Sequence, residues 1–184
     1  MELYLIGGKA RHGKDTLAQF LMEAYKNEGK KVCIAHITNP LYELCKNYFG
    51  WDGNVANKPR ELLQVLGAEI IKEKLNKPTF LIDRLIEEIS ILEHFFDIII
   101  VPDIRLKKEI IILKENYPNT KTIYVKRPNF DNGLTKEEKM HLTEIDLDDY
   151  IDFDYKVDNT SLEHLKLEAQ KIVKEQYKGG SNNE

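Results

Sequence analysis

The stretch GGKARHGKDT, residues 7–16, follows the apolar run LYLI and governs the reading of the rest of the chain. It departs at one position from the phosphate-cradling pattern GxxxxGK[ST]: Asp15 stands where a serine or threonine belongs, and Thr16 follows at once. The context fits the pattern. ELYLI (2–6) reads as a buried strand, and Leu17, Phe20, Leu21, Ala24 and Tyr25 recur at helical spacing until Gly29 stops them. Gly8 and Gly13 permit backbone angles and close approach that a side chain would block. Loop N–H groups and a helix start then face a polyanion, with Lys14 reaching between the outer phosphates. Gly8, Lys9, Ala10, Arg11, His12, Gly13, Lys14, Asp15 and Thr16 are therefore the ATP-binding candidates. Asp15 is a hard-oxygen ligand for Mg2+, directly or through water, and is also well placed as a plain helix-start acid.

Beyond the loop the chain alternates strand and helix. KVCIAHI (31–37), DIIIV (97–101) and TIYVK (122–126) read as strands, and DYKV (154–157) as a short fifth. Segments 40–49, 59–74, 79–95 and 104–116 read as helices, and Leu162, Leu165, Ala169, Ile172 and Val173 mark a closing one. The fold class expected is α/β, a parallel sheet flanked by helices with ligands at the strands' C-terminal ends. Two stretches interrupt it, a helical insert at about 40–95 and a loop at about 128–143 where a lid would hinge. At 184 residues one domain is expected, over 1–178, with a flexible tail at 179–184.

Composition narrows the function classes. The net charge of −4 gives no footing for nucleic acid, no apolar run reaches the length of a membrane span, and no leader is apparent. The expected setting is the cytoplasm, and a homodimer is compatible with the sequence. Cys33 and Cys45 read as buried thiols, and no histidine has metal-ligand spacing. The six acids between Lys139 and Lys156 read as a solvated face. A GTPase switch would need NKxD, which NKPR (57–60) and NKPT (76–79) lack; a motor would need far more chain. Size and the two interruptions point to a small-molecule kinase.

Only five of the 27 basic residues are arginines: Arg11, Arg60, Arg84, Arg105 and Arg127. In a lysine-rich chain they are the candidates for planar grips on phosphate. Transfer between two phosphates needs a second anion site, charge neutralisation and exclusion of water. Arg60 and Gln64, four apart on one helix, share a face and suit an acceptor. Asp103 and Arg105 follow the strand DIIIV, where an acid would hold Mg2+-bound water or a substrate hydroxyl, and Arg127 opens the second interruption. The catalytic candidates are Lys14, Arg105 and Arg127; the substrate-binding ones are Arg60, Gln64, Asp103 and Arg105; the metal ligands are Asp15 and Asp103. Asp83 and Arg84 read as a helix-face pair with a ligand role as the alternative, His141 and Glu144 as a helix-start capping pair with a lid or phosphate role as the alternative, and Trp51 as a loop anchor or a base-stacking ring.

GKARHGKDT, RELLQVLGAE, VPDIRLKKE, VKRP and HLTE (141–144) stand in the order seen in phage-type deoxynucleoside monophosphate kinases, and residues 3–165 resemble that family. The resemblance implies an adenylate-kinase-like P-loop fold with a helical monophosphate-binding insert and a lid. It further implies Mg2+-dependent transfer of the ATP γ-phosphate to a deoxynucleoside monophosphate, with Arg60 and Gln64 at the acceptor and the Arg127 region in the lid. Dephospho-coenzyme A kinases and animal phosphomevalonate kinases share parts of the pattern, and a noncatalytic nucleotide-binding module is the alternative from another class.

Overall fold

Strand β1 (Glu2–Gly7) alternates its buried side chains between two layers, Tyr4 and Ile6 on one face and Leu3 and Leu5 on the other. Burial on both faces is what a strand at the centre of a helix-covered sheet requires. The structure is a computed structural model that describes residues 1–179. Its sheet has five parallel strands in the order β2 (Val32–Ile34), β3 (Ile98–Ile104), β1, β4 (Thr120–Lys126), β5 (Tyr155–Asp158). Helix α1 (Lys14–Asn27) and the closing helix (Leu162–Gly179) cover one face through Leu17, Leu21, Tyr25, Leu165, Ala169 and Ile172. The other face is filled by Ile82, Leu85 and Ile89, by Ile110 and Leu113, and by Leu147. The order reverses at β1, so the ends of β1, β3 and β4 open onto one rim, the usual place for a ligand crevice.

Several boundaries differ from the sequence reading, each for a local reason. The second strand was expected over 31–37 but ends at Ile34, because Asp103 draws the N–H groups of Ile37 and Thr38 out of the sheet. Strand β3 runs on to Ile104, past the expected end at 101. It does so through Pro102, which has no N–H to give, and the β1–β3 register slips between Leu5 and Gly7 there. The following helix starts at Lys107 and not at 104, since the Glu109 carboxylate accepts from the N–H groups of Arg105 (2.8 Å) and Leu106 (3.0 Å).

In the insert, α2 (Asn39–Phe49) starts with Pro40 in its first turn and stops at Gly50, φ 73°. The helix expected over 59–74 begins as α3 (Arg60–Gln64) and widens into i→i+5 turns over Val65–Lys74. Helix α4 (Phe80–Leu92), grouped with the insert by sequence, packs on the sheet. After it come α5 (Lys107–Asn116) and two single-turn helices in the second interruption, α6 (Lys136–Lys139) and α7 (Leu142–Ile145), before α8, the closing helix. Among the described residues no helix is long and apolar enough to cross a membrane. Apart from Gly179, the last residue of α8, the tail expected at 179–184 lies outside the described residues.

Candidate nucleotide and acceptor site

The loop from Gly8 to Lys14 is held by close contacts that only its glycines allow. Gly8 has φ 141°, and a Cβ there would lie 2.3 Å from the Val125 carbonyl oxygen. At Gly13 (φ 97°) a Cβ would meet Asn159 Nδ2 at 2.4 Å. Asn159, just past β5, donates from that amide to the His12 carbonyl (3.0 Å) and from its N–H to the Lys126 carbonyl (2.7 Å). The buried His12 ring accepts from the Arg127 N–H at Nδ1 (3.2 Å), and burial lowers its pKa, keeping that nitrogen free to accept.

Lys14 is only 6% exposed, and its Nζ donates back to the Lys9 carbonyl (2.8 Å). Burial, and then the positive charge of Arg105, lower its pKa to about 7. Asp15, Glu144 and Asp103 oppose that shift without cancelling it, so a phosphate brought against the amine would restore the ammonium. Asp15, in the first turn of α1, is 81% exposed, with Oδ1 3.6 Å from His36 Nε2. His36 lowers the Asp15 pKa, and Asp15 in turn raises that of His36. Asp103, on β3, spends its carboxylate on the turn before α2. Oδ1 accepts from the Ile37 N–H (3.0 Å), and Oδ2 from the Thr38 N–H (3.1 Å) and hydroxyl (2.6 Å). Three of about four lone-pair positions are thereby used.

Arg105 donates through Nη1 to the Gly8 carbonyl (3.1 Å) and to Glu144 Oε1 (2.8 Å). The second Glu144 oxygen accepts from the Ala10 N–H of the loop (2.9 Å). The acid run 144–154 is in part the solvated face expected, with Asp148, Asp149, Asp152 and Asp154 exposed and Glu144 and Asp146 partly buried, but most of its carboxylates are also tied to the protein. Asp148 pairs with Lys9 (2.8 Å), Asp146 accepts from the Lys107 N–H (2.7 Å), Asp149 pairs with Lys107 Nζ (2.6 Å), and Asp154 accepts from the Thr122 N–H and hydroxyl (2.8 and 2.7 Å). His141 and Glu144 do not form a capping pair. The His141 ring caps α7 by itself, while Glu144 reaches the loop.

Arg11 (φ 61°) donates to the Asn132 carbonyl (2.7 Å), and Arg127 stacks 3.9 Å from the Phe130 ring centroid, so both interruption-side arginines engage residues 128–135. Asp83 and Arg84 do not pair with each other; Asp83 accepts from Thr79 (2.9 Å) and Arg84 pairs with Glu87 (2.5 Å). Arg60 and Gln64 lie exposed on α3 and make no side-chain hydrogen bond or ion pair with the loop or with β3. Nearby, Lys58 donates to the Tyr42 hydroxyl (2.5 Å) and lies 4.6 Å from that ring's centroid; its charge adds to the lowering at Asp15 and opposes the rise at His36. Trp51 meets Tyr42 edge-on and donates to the Asn54 carbonyl (3.1 Å) and Asn57 Oδ1 (3.2 Å), anchoring its loop. Of the two thiols, Cys45 is buried and Cys33 only partly so, and burial raises both pKa values.

Sequence reading missed His36, Lys58 and the loop contact of Glu144. His36 carried one usable signal, its place just past a strand's C-terminal end. Among the described residues no three His, Cys, Asp or Glu side chains gather as a metal cage. Asp15 is the exposed oxygen donor at the loop, and Mg2+ is commonly held by one or two carboxylates plus substrate phosphates.

No protein-family model matches the chain, and no curated protein matches it in sequence. Solved structures do match in shape. The chain is similar to the APS kinase of Mycobacterium tuberculosis in complex with AMPPNP and APS, at 12% identity and a TM-score of 0.58, over 94% of this chain and 95% of that one. It is similar to a gluconokinase from Sinorhizobium meliloti (12%, TM-score 0.55, 98% of each chain) and to shikimate kinase from Aquifex aeolicus (17%, TM-score 0.53, 97% and 99%). The five-stranded parallel sheet flanked by helices is thus the P-loop kinase fold, adenylate-kinase-like in kind.

Proposed function

We propose that the chain transfers the γ-phosphate of Mg2+-bound ATP to a small phosphorylated acceptor, a deoxynucleoside monophosphate in the first place. Arg60 carries the reading. The other four arginines are engaged by Asn132, Glu87, Glu144 and Phe130, whereas the Arg60 guanidinium is exposed and without a partner among the described residues. It shares a face of α3 with Gln64, on an insert separate from the loop that carries Lys14. One helix thus offers a planar phosphate grip and an amide for base or sugar.

The donor phosphates would lie on the loop amides, with Lys14 and Arg105 neutralising charge and Arg127 on the lid side. Asp15 would hold the Mg2+, which supplies charge neutralisation across the phosphates when bound. A monophosphate, dianionic near neutral pH, attacks without a base. His36 suits a hydroxyl acceptor instead, but Asp15 raises its pKa and so shifts it towards the imidazolium.

The test is Arg60→Ala, assayed for ADP release against deoxynucleoside and nucleoside monophosphates, dephospho-coenzyme A, phosphomevalonate, shikimate and gluconate. Losing a charge-assisted grip costs roughly 2–4 kcal/mol, so acceptor kcat/KM falls about 30-fold or more. Arg60→Lys restores part of it. ATP affinity and Tm stay as in the parent, since the side chain is exposed and unpaired. A normal acceptor KM in Arg60→Ala, or a parent active only on an unphosphorylated acceptor, overturns the reading.

A further inference from the structure

We infer that Glu144 is an internal anion occupying the donor's phosphate seat, and that residues 142–149 form a strap which unlatches as ATP enters. This rests on reading the loop as the ATP site. The Glu144 side chain is 9% exposed, and its two oxygens divide between the Ala10 N–H of the loop (2.9 Å) and the Arg105 guanidinium (2.8 Å). A loop amide and an arginine are the two donor types a phosphate oxygen seeks. Neither donor belongs to α7, and the His141 ring already caps that helix, so the contact serves the loop and not the helix.

A carboxylate and a phosphate compete for such donors. Bringing a polyanion against a nearly buried carboxylate sets like charges together in a poorly screened place. One of them leaves. Two of the strap's other ties are weak, since Lys9–Asp148 and Lys107–Asp149 are partly exposed pairs of the kind that contribute little net stability, while Leu147 in the core and the Asp146 bond to the Lys107 N–H are the anchors about which it moves. When Glu144 leaves, Arg105 keeps its bond to the Gly8 carbonyl and remains aimed at the loop, ready for a phosphate oxygen. The Lys14 ammonium loses one nearby negative charge and gains a closer one. ATP entry is then an exchange of one anion for another, and the apparent affinity is the intrinsic one reduced by the fraction of molecules already unlatched.

The sign of this effect is unusual, which makes it testable. Calorimetry of Mg2+–ATP binding to the full chain, with no acceptor present, compares the parent with Glu144→Gln and Asp148→Asn. Glu144→Gln is expected to bind ATP about tenfold tighter, corresponding to a latched fraction near nine in ten in the parent. Asp148→Asn, which cuts the exposed pair to Lys9, shifts affinity the same way by a smaller factor. Hydrogen exchange at 142–149 rises in the parent on adding ATP, and is already raised in ATP-free Glu144→Gln. Equal or weaker ATP binding by a folded Glu144→Gln overturns the strap. If that variant does not fold, unchanged or weaker binding by Asp148→Asn overturns it. A parent that binds no ATP overturns the reading of the loop itself, whereas a parent that binds ATP yet phosphorylates no acceptor leaves the strap test standing.

Discussion

Lys14 meets two opposed demands, since the phosphate wants an ammonium where the empty fold would prefer none. The native pKa of about 7 lies below the ordinary lysine value of 10.5. The cost of burying the charge is therefore full below about pH 7 and fades as pH rises from there towards 10.5. Lys14→Met keeps most of the bulk and removes the charge. It is expected to raise Tm in the absence of nucleotide, most at pH 6 and less by pH 9, while cutting turnover at least ~100-fold by loss of transition-state charge stabilisation. Thermal scans at the two pH values with a turnover assay check both halves; a lower Tm at pH 6 contradicts the account. Gly8, Gly13 and Lys14 were legible because they stand together in one short motif, although Gly8 and Gly13 pack against the distant Val125 and Asn159. The loop contact of Glu144 was not, because its partners Ala10 and Arg105 lie 134 and 39 positions away, and its place in HLTE suggested a helix-start cap first. Lys58 and His36 were hidden in the same way, as nothing near them in sequence announces Tyr42 or Asp15.

Two glycines with positive φ show how packing between elements, not backbone alone, sets what a position tolerates. Gly29 ends α1 at φ 76° with nothing within 4 Å of where a Cβ would stand. Gly29→Ala is expected to cost only the left-handed penalty of about 1–2 kcal/mol. Gly8 joins β1 to the loop, and there the added carbon would press into the Val125 carbonyl of β4 at 2.3 Å, a backbone atom that cannot swing aside. Gly8→Ala should lower Tm by roughly 10 °C or more, or leave no folded protein, against a few degrees for Gly29→Ala. Comparable Tm values for the two would contradict the contact. Elements of ordinary length showed themselves through alternation and helical spacing. Those that did not are the ones whose cause is tertiary or whose length is too small for a period: the widened turns after α3, the strand carried through Pro102, and the four-residue α6 and α7. Helix α4 was assigned to the insert because its apolar spacing says that it is buried, and does not say against what.

In the molecule as a whole, stability is graded outward from β1. Both neighbours of that strand pair along nearly its full length, and its side chains are buried on both faces, whereas α3 and its extension bury only Gly67 and Ile71. Hydrogen exchange is expected to be slowest in β1, β3 and β4 and much faster over 50–78 and 128–141; equal protection of the insert would contradict this. The strand order also bears on how the chain is made. Leu3 pairs with Ile99 on one side and Thr120 on the other, and β3 is the only bridge between β1 and β2. At roughly 5–20 residues per second of synthesis, the apolar LYLI run waits on the order of 5–20 s for its first neighbour to be made, and longer for its second. Helices can form behind it in that interval, yet no two strands made by then are adjacent in the finished sheet. The nascent chain is thus an incomplete sheet missing its keystone. The period most open to aggregation falls before residue 98 has been translated, and chaperones that cover short apolar strands would matter most then.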